Sequence, residues 1–303
     1  MSKPVNRDVN VIMPVYRGGD HWELTLESLK TASRLFSEVV MSFDGPTRNE
    51  LAGSLKSEGK SGLADFALVT PTTMTTMEHM LWLINQPPIS EWNDDQLVML
   101  MAEDDLICLD TLQAGLEVTK VNPGSLLFGS WVENVPGIIS GLETPKPDNI
   151  SVYPEKQIAS RLAKWVRGSE VTTISGITCE LRVLRSHLRQ VCGIKGRDRL
   201  LSGIRMEYFL ATQPTVKSLV RCNEPITRIQ IHERQEGRIA ARDKRIKDEA
   251  LYQFWLVNSG QQMLLRERSI ALLRLGKKII QRPSVLKVLP NAWTTFRKTN
   301  HVT

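Results

Sequence analysis

The stretch Gln96-Leu97-Val98-Met99-Leu100-Met101-Ala102-Glu103-Asp104-Asp105 passes from a short apolar run straight into three consecutive acids. An apolar run this short, bounded by polar residues, predicts a strand buried on both faces. In open α/β sheets the ligand crevice lies beyond the carboxyl ends of such strands, so acids placed there face a ligand. Adjacent carboxylates repel one another unless a cation or hydrogen-bond donors lie between them. A hard divalent metal holding substrate phosphates meets that need. The plainer alternative is that one acid caps the next helix and the others are solvated.

The segments before this strand repeat the same logic. Asn10-Val11-Ile12-Met13-Pro14-Val15 reads as a first buried strand, followed by the turn Tyr16-Arg17-Gly18-Gly19 and a helix with Trp22, Leu26, Leu29 and Phe36 on one face. Glu38 to Phe43 reads as a second strand ending at Asp44-Gly45-Pro46, and Phe66 to Val69 as a third ending at Thr70-Pro71-Thr72-Thr73. Met77, Met80, Leu81 and Ile84 then mark another helix face. Alternation of this kind predicts an α/β fold with a mainly parallel central sheet flanked by helices.

Beyond the acids, Asp110 is placed to cap a helix carrying Leu112 and Leu116, and Leu126 to Trp131 is a strand candidate. Val135 to Pro154, rich in Pro and Gly, reads as a loop over the site. Val171 to Ile177 reads as a strand up to its glycine, Glu180 to Val191 as a helix, and Val216 to Val220 as a return to sheet. From about Asp243 a helical stretch runs toward Leu275, and a basic tail broken by Pro283 and Pro290 follows. Two regions are expected: a nucleotide-binding domain over 1–240 and a basic helical extension over 241–303.

Composition narrows the function classes. The chain has 303 residues, 41% of them apolar, enough for a large core, and no segment approaches the roughly 18 unbroken apolar residues of a membrane span. The polar N-terminus lacks a signal-like apolar region, which points to the cytoplasm. Cys108, Cys179, Cys192 and Cys222 form no C-x-x-C pair, so zinc and a disulfide framework are not expected. The net charge of +6 is concentrated in the second half. A basic half attracts nucleic acid, anionic lipid or a phosphorylated substrate alike, but no nucleic-acid-binding motif is present. Nucleic acid is therefore not expected as a partner. From Gln262 to Lys298 aliphatic and basic residues alternate, a composition suited either to an anionic membrane surface or to packing on the main domain with the charges in water.

Three strand ends, Pro14-Val15-Tyr16-Arg17, Ser42-Phe43-Asp44-Gly45 and Glu103-Asp104-Asp105, together with Ile174-Ser175-Gly176, Met206-Glu207-Tyr208 and Arg228-Ile229-Gln230-Ile231-His232, resemble the motif series of bacterial, inverting family 2 glycosyltransferases of the GT-A fold. The resemblance spans roughly Val9 to Gly237. It implies transfer of a sugar from a nucleoside diphosphate donor, UDP-sugars favoured, to a hydroxyl of a glycan or lipid-linked acceptor, with Mn²⁺ or Mg²⁺. The setting it implies is surface polysaccharide or glycolipid assembly, at the cytoplasmic face of a membrane if the basic C-terminus docks there.

Carried over residue by residue, the resemblance gives Pro14, Val15, Tyr16 and Arg17 to the nucleoside and phosphates, Asp44 to the base, and Asp104 or Glu103 to the ribose or a metal-bound water. Asp105, with Glu103 and His232, would hold the metal. Ser175 and Gly176 would line the donor and acceptor loop. Glu207 would be the catalytic base, where many family members have Glu-Asp and this chain has Met206-Glu207. Either the longer Glu substitutes or the register shifts by one. Two other readings are a GT-A-fold scaffold without catalysis and a sugar nucleotidyltransferase. The second would require a Gly-rich phosphate loop after the first strand, and Gly18-Gly19 alone does not form one.

Overall fold

The computed structural model describes residues 9–16, 22–45, 65–74, 76–133, 150–165, 175–192, 210–211, 213–229, 246, 250–251, 253–254, 257–258, 265–287 and 289–290. Among them, nine strands join into one sheet. They are β1 (Val9–Val15), β2 (Glu38–Phe43), β3 (Phe66–Val69), β4 (Leu97–Leu100), β5 (Asp105–Ile107), β6 (Ser125–Glu133), β7 (Ile150–Pro154), β8 (Thr178–Glu180) and β9 (Ser218–Ile229). The helices used below are α1 (Trp22–Ala32), α2 (Thr76–Leu83), α3 (Leu109–Val121), α4 (Glu155–Trp165), α5 (Leu181–Cys192) and α6 (Leu265–Gln281).

The sheet runs β3-β2-β1-β4-β8-β6-β9-β5, with β7 also on β9. In its N-terminal half, β1 pairs parallel with both β2 and β4, and β2 pairs parallel with β3. This is the parallel arrangement expected from the alternating strands and helices. Every residue of β1 is buried, and successive side chains enter opposite layers. Val9, Val11, Met13 and Val15 join Trp22, Leu26, Leu29, Leu112 and Leu116 on the α1 and α3 side. Ile12, Val40, Val98 and Leu100 join Met77, Met80, Ile158, Leu162 and Leu184 on the other. Sheet burial on both faces is why these strands read as near-continuous apolar runs.

The second half of the sheet is mixed. β8 is antiparallel to β4 and β6, β5 and β7 are antiparallel to β9, and only β6 and β9 pair parallel. Of the strand expected from Val171 up to Gly176, only the last two residues are described, and they are not strand. Ser175 and Gly176 form a turn with Gly176 at φ 84°, a backbone region costly for other residues, and the strand begins at Thr178. A Cβ on Gly176 would also lie 2.7 Å from Ile226 Cδ1. The helix after it starts at Leu181, while 171–174 lie outside the described residues.

Other boundaries shift for local reasons. β9 runs nine residues past Val220, through Asn223-Glu224-Pro225, because register shifts against Gly129 and Ser130 of β6 absorb the turn-like residues. Ile150–Pro154, expected as loop, is the strand β7, whereas 134–149 lie outside the described residues. Asp110 sits inside the first turn of α3 rather than at its cap, which is Cys108, and Phe36 lies beyond the end of α1. Cys108, Cys179 and Cys222 are free and buried, and burial pushes the last two thiols up to about 12. α6 lays Ala271 into the same layer as Ile158 and Leu162.

Leu100, buried in the central strand, is a sensitive probe of this layering. Leu100→Ala should lower the unfolding free energy by about 2–5 kcal/mol, read as a lower urea midpoint at unchanged slope.

Candidate functional site

The parallel pairing places the ends of β1, β2 and β4 side by side: Val15 is level with Phe43, and Ile12 with Leu100. The chain leaves β4 through Met101 and Ala102, turns at Glu103 and Asp104, and enters β5 at Asp105, whose strand partner is Ile229 of β9. The acids therefore do not extend β4, and the last of them opens β5. They occupy the step by which the backbone crosses from β4 to a strand at the far edge of the sheet.

Hydrogen bonds tie this step to its neighbours. The Tyr16 backbone N–H donates to Glu103 Oε2 at 2.8 Å, joining the end of β1 to the acidic turn. Ser175 Oγ donates to Asp105 Oδ2 at 2.6 Å and accepts from the Ala102 N–H at 2.9 Å. Asp105 is only 3% exposed, so its carboxylate lies beneath the surface against the Ser175-Gly176 turn. Gly176 N–H donates to the Leu100 carbonyl at 2.8 Å, which holds that turn against the end of β4. Asp104, between these two anchored acids, is partly exposed. Donors thus offset repulsion at two of the three carboxylates.

Asp44 is built in from the other side. Its N–H donates to the Val15 carbonyl at 2.9 Å, continuing the β1–β2 ladder by one bond. Asp44 Oδ1 accepts from the Met74 N–H at 2.8 Å and, more weakly, from Thr70 Oγ1 at 3.4 Å. The Thr70 hydroxyl itself accepts from the Gly45 N–H at 2.7 Å. One carboxylate oxygen is thus committed to the loop after β3, and Oδ2 keeps its acceptor capacity. Gly45, at φ 83°, makes the tight turn that follows.

Tyr16 stands between these groups on an aromatic support. Its ring meets His79 edge to face, centroids 5.1 Å apart at 84°, and His79 is tilted against Trp82. His79 Nε2 lies 2.6 Å from Ser42 Oγ on β2. Burial lowers the His79 pKa to about 4, so the imidazole is neutral at physiological pH. Sequence alone places His79 just after the Thr72 to Thr76 loop, close enough to line a donor pocket, whereas Thr70 was not among the residues expected to shape the site. The cluster Thr70-Pro71-Thr72-Thr73 at a third strand end was the available signal for Thr70. For His79 the signal was its position just after the Thr72 to Thr76 loop.

Of the sequence-derived site, Pro14, Val15, Tyr16, Asp44, Glu103, Asp104, Asp105, Ser175 and Gly176 converge on this end of the sheet. Arg17, Glu207 and His232 lie outside the described residues. Among the described residues, no group of three or more His, Cys, Asp or Glu side chains is arranged to hold a metal ion. The donor chemistry nonetheless suits a hard divalent cation. Mg²⁺ is commonly held by one or two carboxylates, with waters and substrate phosphates completing the shell.

The chain matches no protein-family model and no curated protein. It is similar in structure to S. aureus TarS, with TM-score 0.51 and 10% identity over 91% of this chain and 44% of the other, so it spans less than half of that length. It is similar to S. aureus TarS 1-349 in complex with UDP-GlcNAc (TM-score 0.53, 11% identity, 96% of this chain and 79% of the other). The complex of the same segment with UDP gives TM-score 0.51 and 12% identity over 91% and 73%. At such identity the likeness concerns the fold: an α/β architecture of the GT-A type with a small C-terminal helical addition.

The buried imidazole makes a pH prediction. Because His79 is harder to protonate folded than unfolded, its contribution is constant above pH 6.5 and is lost as pH falls toward about 4. The difference in unfolding free energy between wild type and His79→Asn should therefore be flat above pH 6.5 and shrink below it, measured by urea titration at each pH.

Proposed function

We propose that the chain transfers a sugar from a nucleoside diphosphate sugar to an acceptor hydroxyl, with inversion at the anomeric carbon. The observation that carries this reading is the junction of three strand ends, where Tyr16, Asp44 and the Glu103–Asp105 turn are bonded to one another or to adjacent backbone. A fold shared with a protein crystallised with UDP and UDP-GlcNAc supports a uridine nucleotide as the donor handle.

The roles follow from the groups available. Asp44 Oδ2 accepts from an N–H on the edge of the base, and Tyr16 offers its ring face to the base. Asp104 reaches the ribose, and Arg17 adds charge near the phosphates. Asp105, with Glu103 and His232, is the proposed seat of Mn²⁺ or Mg²⁺, which when bound would neutralise charge on the departing diphosphate. Ser175 fixes the Asp105 carboxylate, and the Ser175-Gly176 turn borders the donor.

Glu207 is the proposed base. It takes the proton of the acceptor hydroxyl as that oxygen attacks the anomeric carbon, while the bond from that carbon to the diphosphate oxygen breaks and its electrons leave with the nucleotide. The acceptor in this reading is a glycan or a lipid-linked sugar. The pathway is surface polysaccharide or glycolipid assembly.

Titration calorimetry with UDP, GDP and ADP in Mn²⁺ should show UDP binding preferred. Asp44→Ala should weaken UDP by roughly tenfold or more, the scale of a lost hydrogen bond to a charged group. Glu207→Gln should keep UDP affinity while UDP release from the donor sugar falls by about 10²-fold or more. Absence of binding by all three nucleotides would overturn the reading.

A further inference from the structure

We infer that α6 and the turn after it form an in-plane docking surface for an anionic lipid bilayer. One side of α6 is packed: Ala271 and Leu275 are buried, the latter with Ala250 and Val285. The other side is not. Leu272 is 50% exposed, Leu273 74% and Ile280 82%, and Leu286 in the following 3₁₀ turn (Pro283–Lys287) is 53% exposed. Positions 272, 276 and 280 lie one above another on successive turns, with 273 beside them, so the exposed aliphatics form a stripe rather than a scatter. Gly276 in the middle leaves the stripe unobstructed, since a Cβ there would meet nothing within 4 Å.

Charge identifies the occupant. Between Leu265 and Pro290 stand seven Lys and Arg (Arg266, Arg268, Arg274, Lys277, Lys278, Arg282 and Lys287) and one acid, Glu267. Exposed Arg268 and Lys277 lie on opposite flanks of the stripe, and exposed Lys287 follows Leu286. A second copy of this chain would set the same cationic surface against itself, and a nucleic acid would leave the aliphatic side chains in water. A bilayer with anionic headgroups takes both: acyl chains receive the Leu and Ile side chains while the long cationic stems reach the headgroups. Among the described residues no helix is long and apolar enough to cross a membrane, and the proposed contact lies along the bilayer surface. Such docking would suit a lipid-linked acceptor, but it is independent of the sugar-transfer reading.

The test is co-sedimentation of the full chain with phosphatidylcholine vesicles and with vesicles containing phosphatidylglycerol, at low and high salt. The full chain should bind the anionic vesicles at least tenfold more tightly than the neutral ones, and high salt should weaken that binding. Leu273→Asp with Ile280→Asp should reduce binding by more than tenfold, and Lys277→Glu with Lys287→Glu should abolish the preference for anionic lipid. All four positions are exposed, so melting temperatures and UDP affinity should match wild type. Equal binding to both vesicles, no vesicle binding, or unchanged binding by the double aspartate variant would overturn the proposal. So would self-association or polynucleotide binding through this face in place of vesicle binding.

Discussion

Three neighbouring acids at a strand end form an electrostatically costly arrangement, and the site depends on how that cost is offset. The Tyr16 backbone N–H answers Glu103 at 2.8 Å and the Ser175 hydroxyl answers Asp105 at 2.6 Å. Each bond also joins segments far apart in sequence. The first links the end of β1 to the crossing between β4 and β5, and the second links that crossing to the turn before β8. The parallel pairing of β1 with β4 brings these groups within reach. The buried Val, Ile, Leu and Met residues on both sheet faces hold that pairing in register.

The N-terminal half of the fold was legible because both-face burial writes a strong signal: short aliphatic runs ending in Tyr, Asp-Gly or acids. The second half was harder to read, since its strands are set by contacts distant in sequence. β9 continues past Asn223-Glu224-Pro225 by bulging its own extra residues opposite Gly129 and Ser130 of β6, and nothing local announces that. β8 is three residues long, below what periodicity can register, and its start is fixed by the positive φ of Gly176. In the site, Asp44 and the acidic triplet stood out as charges beside apolar runs. His79 was legible only through its nearness to the Thr72 to Thr76 loop, because a buried neutral imidazole on an apolar helix face looks in sequence like any polar interruption. Its place is defined by Ser42 and Tyr16, contributed by two separate strand ends.

Asp44 and His79 illustrate how a rigid support differs from a reactive group. The loop after β3 claims one oxygen of Asp44, fixing the carboxylate plane while leaving the second oxygen to a ligand. His79 fixes the Tyr16 ring without exposing a charge. Such an arrangement suits selective recognition of a planar base. α6, by contrast, combines a face packed on the sheet layer with an aliphatic and cationic face in solvent, and under the docking proposal one helix serves both folding and lipid contact.

The central claim is that the three strand ends form one nucleotide diphosphate cleft. A crystal structure of the full chain grown with UDP and Mn²⁺ tests it most directly. The account predicts density for the uracil edge at Asp44 and its ring against Tyr16, with the diphosphate lying over the turn from Glu103 to Asp105. Nucleotide density elsewhere on the molecule, with these side chains undisturbed, would contradict it.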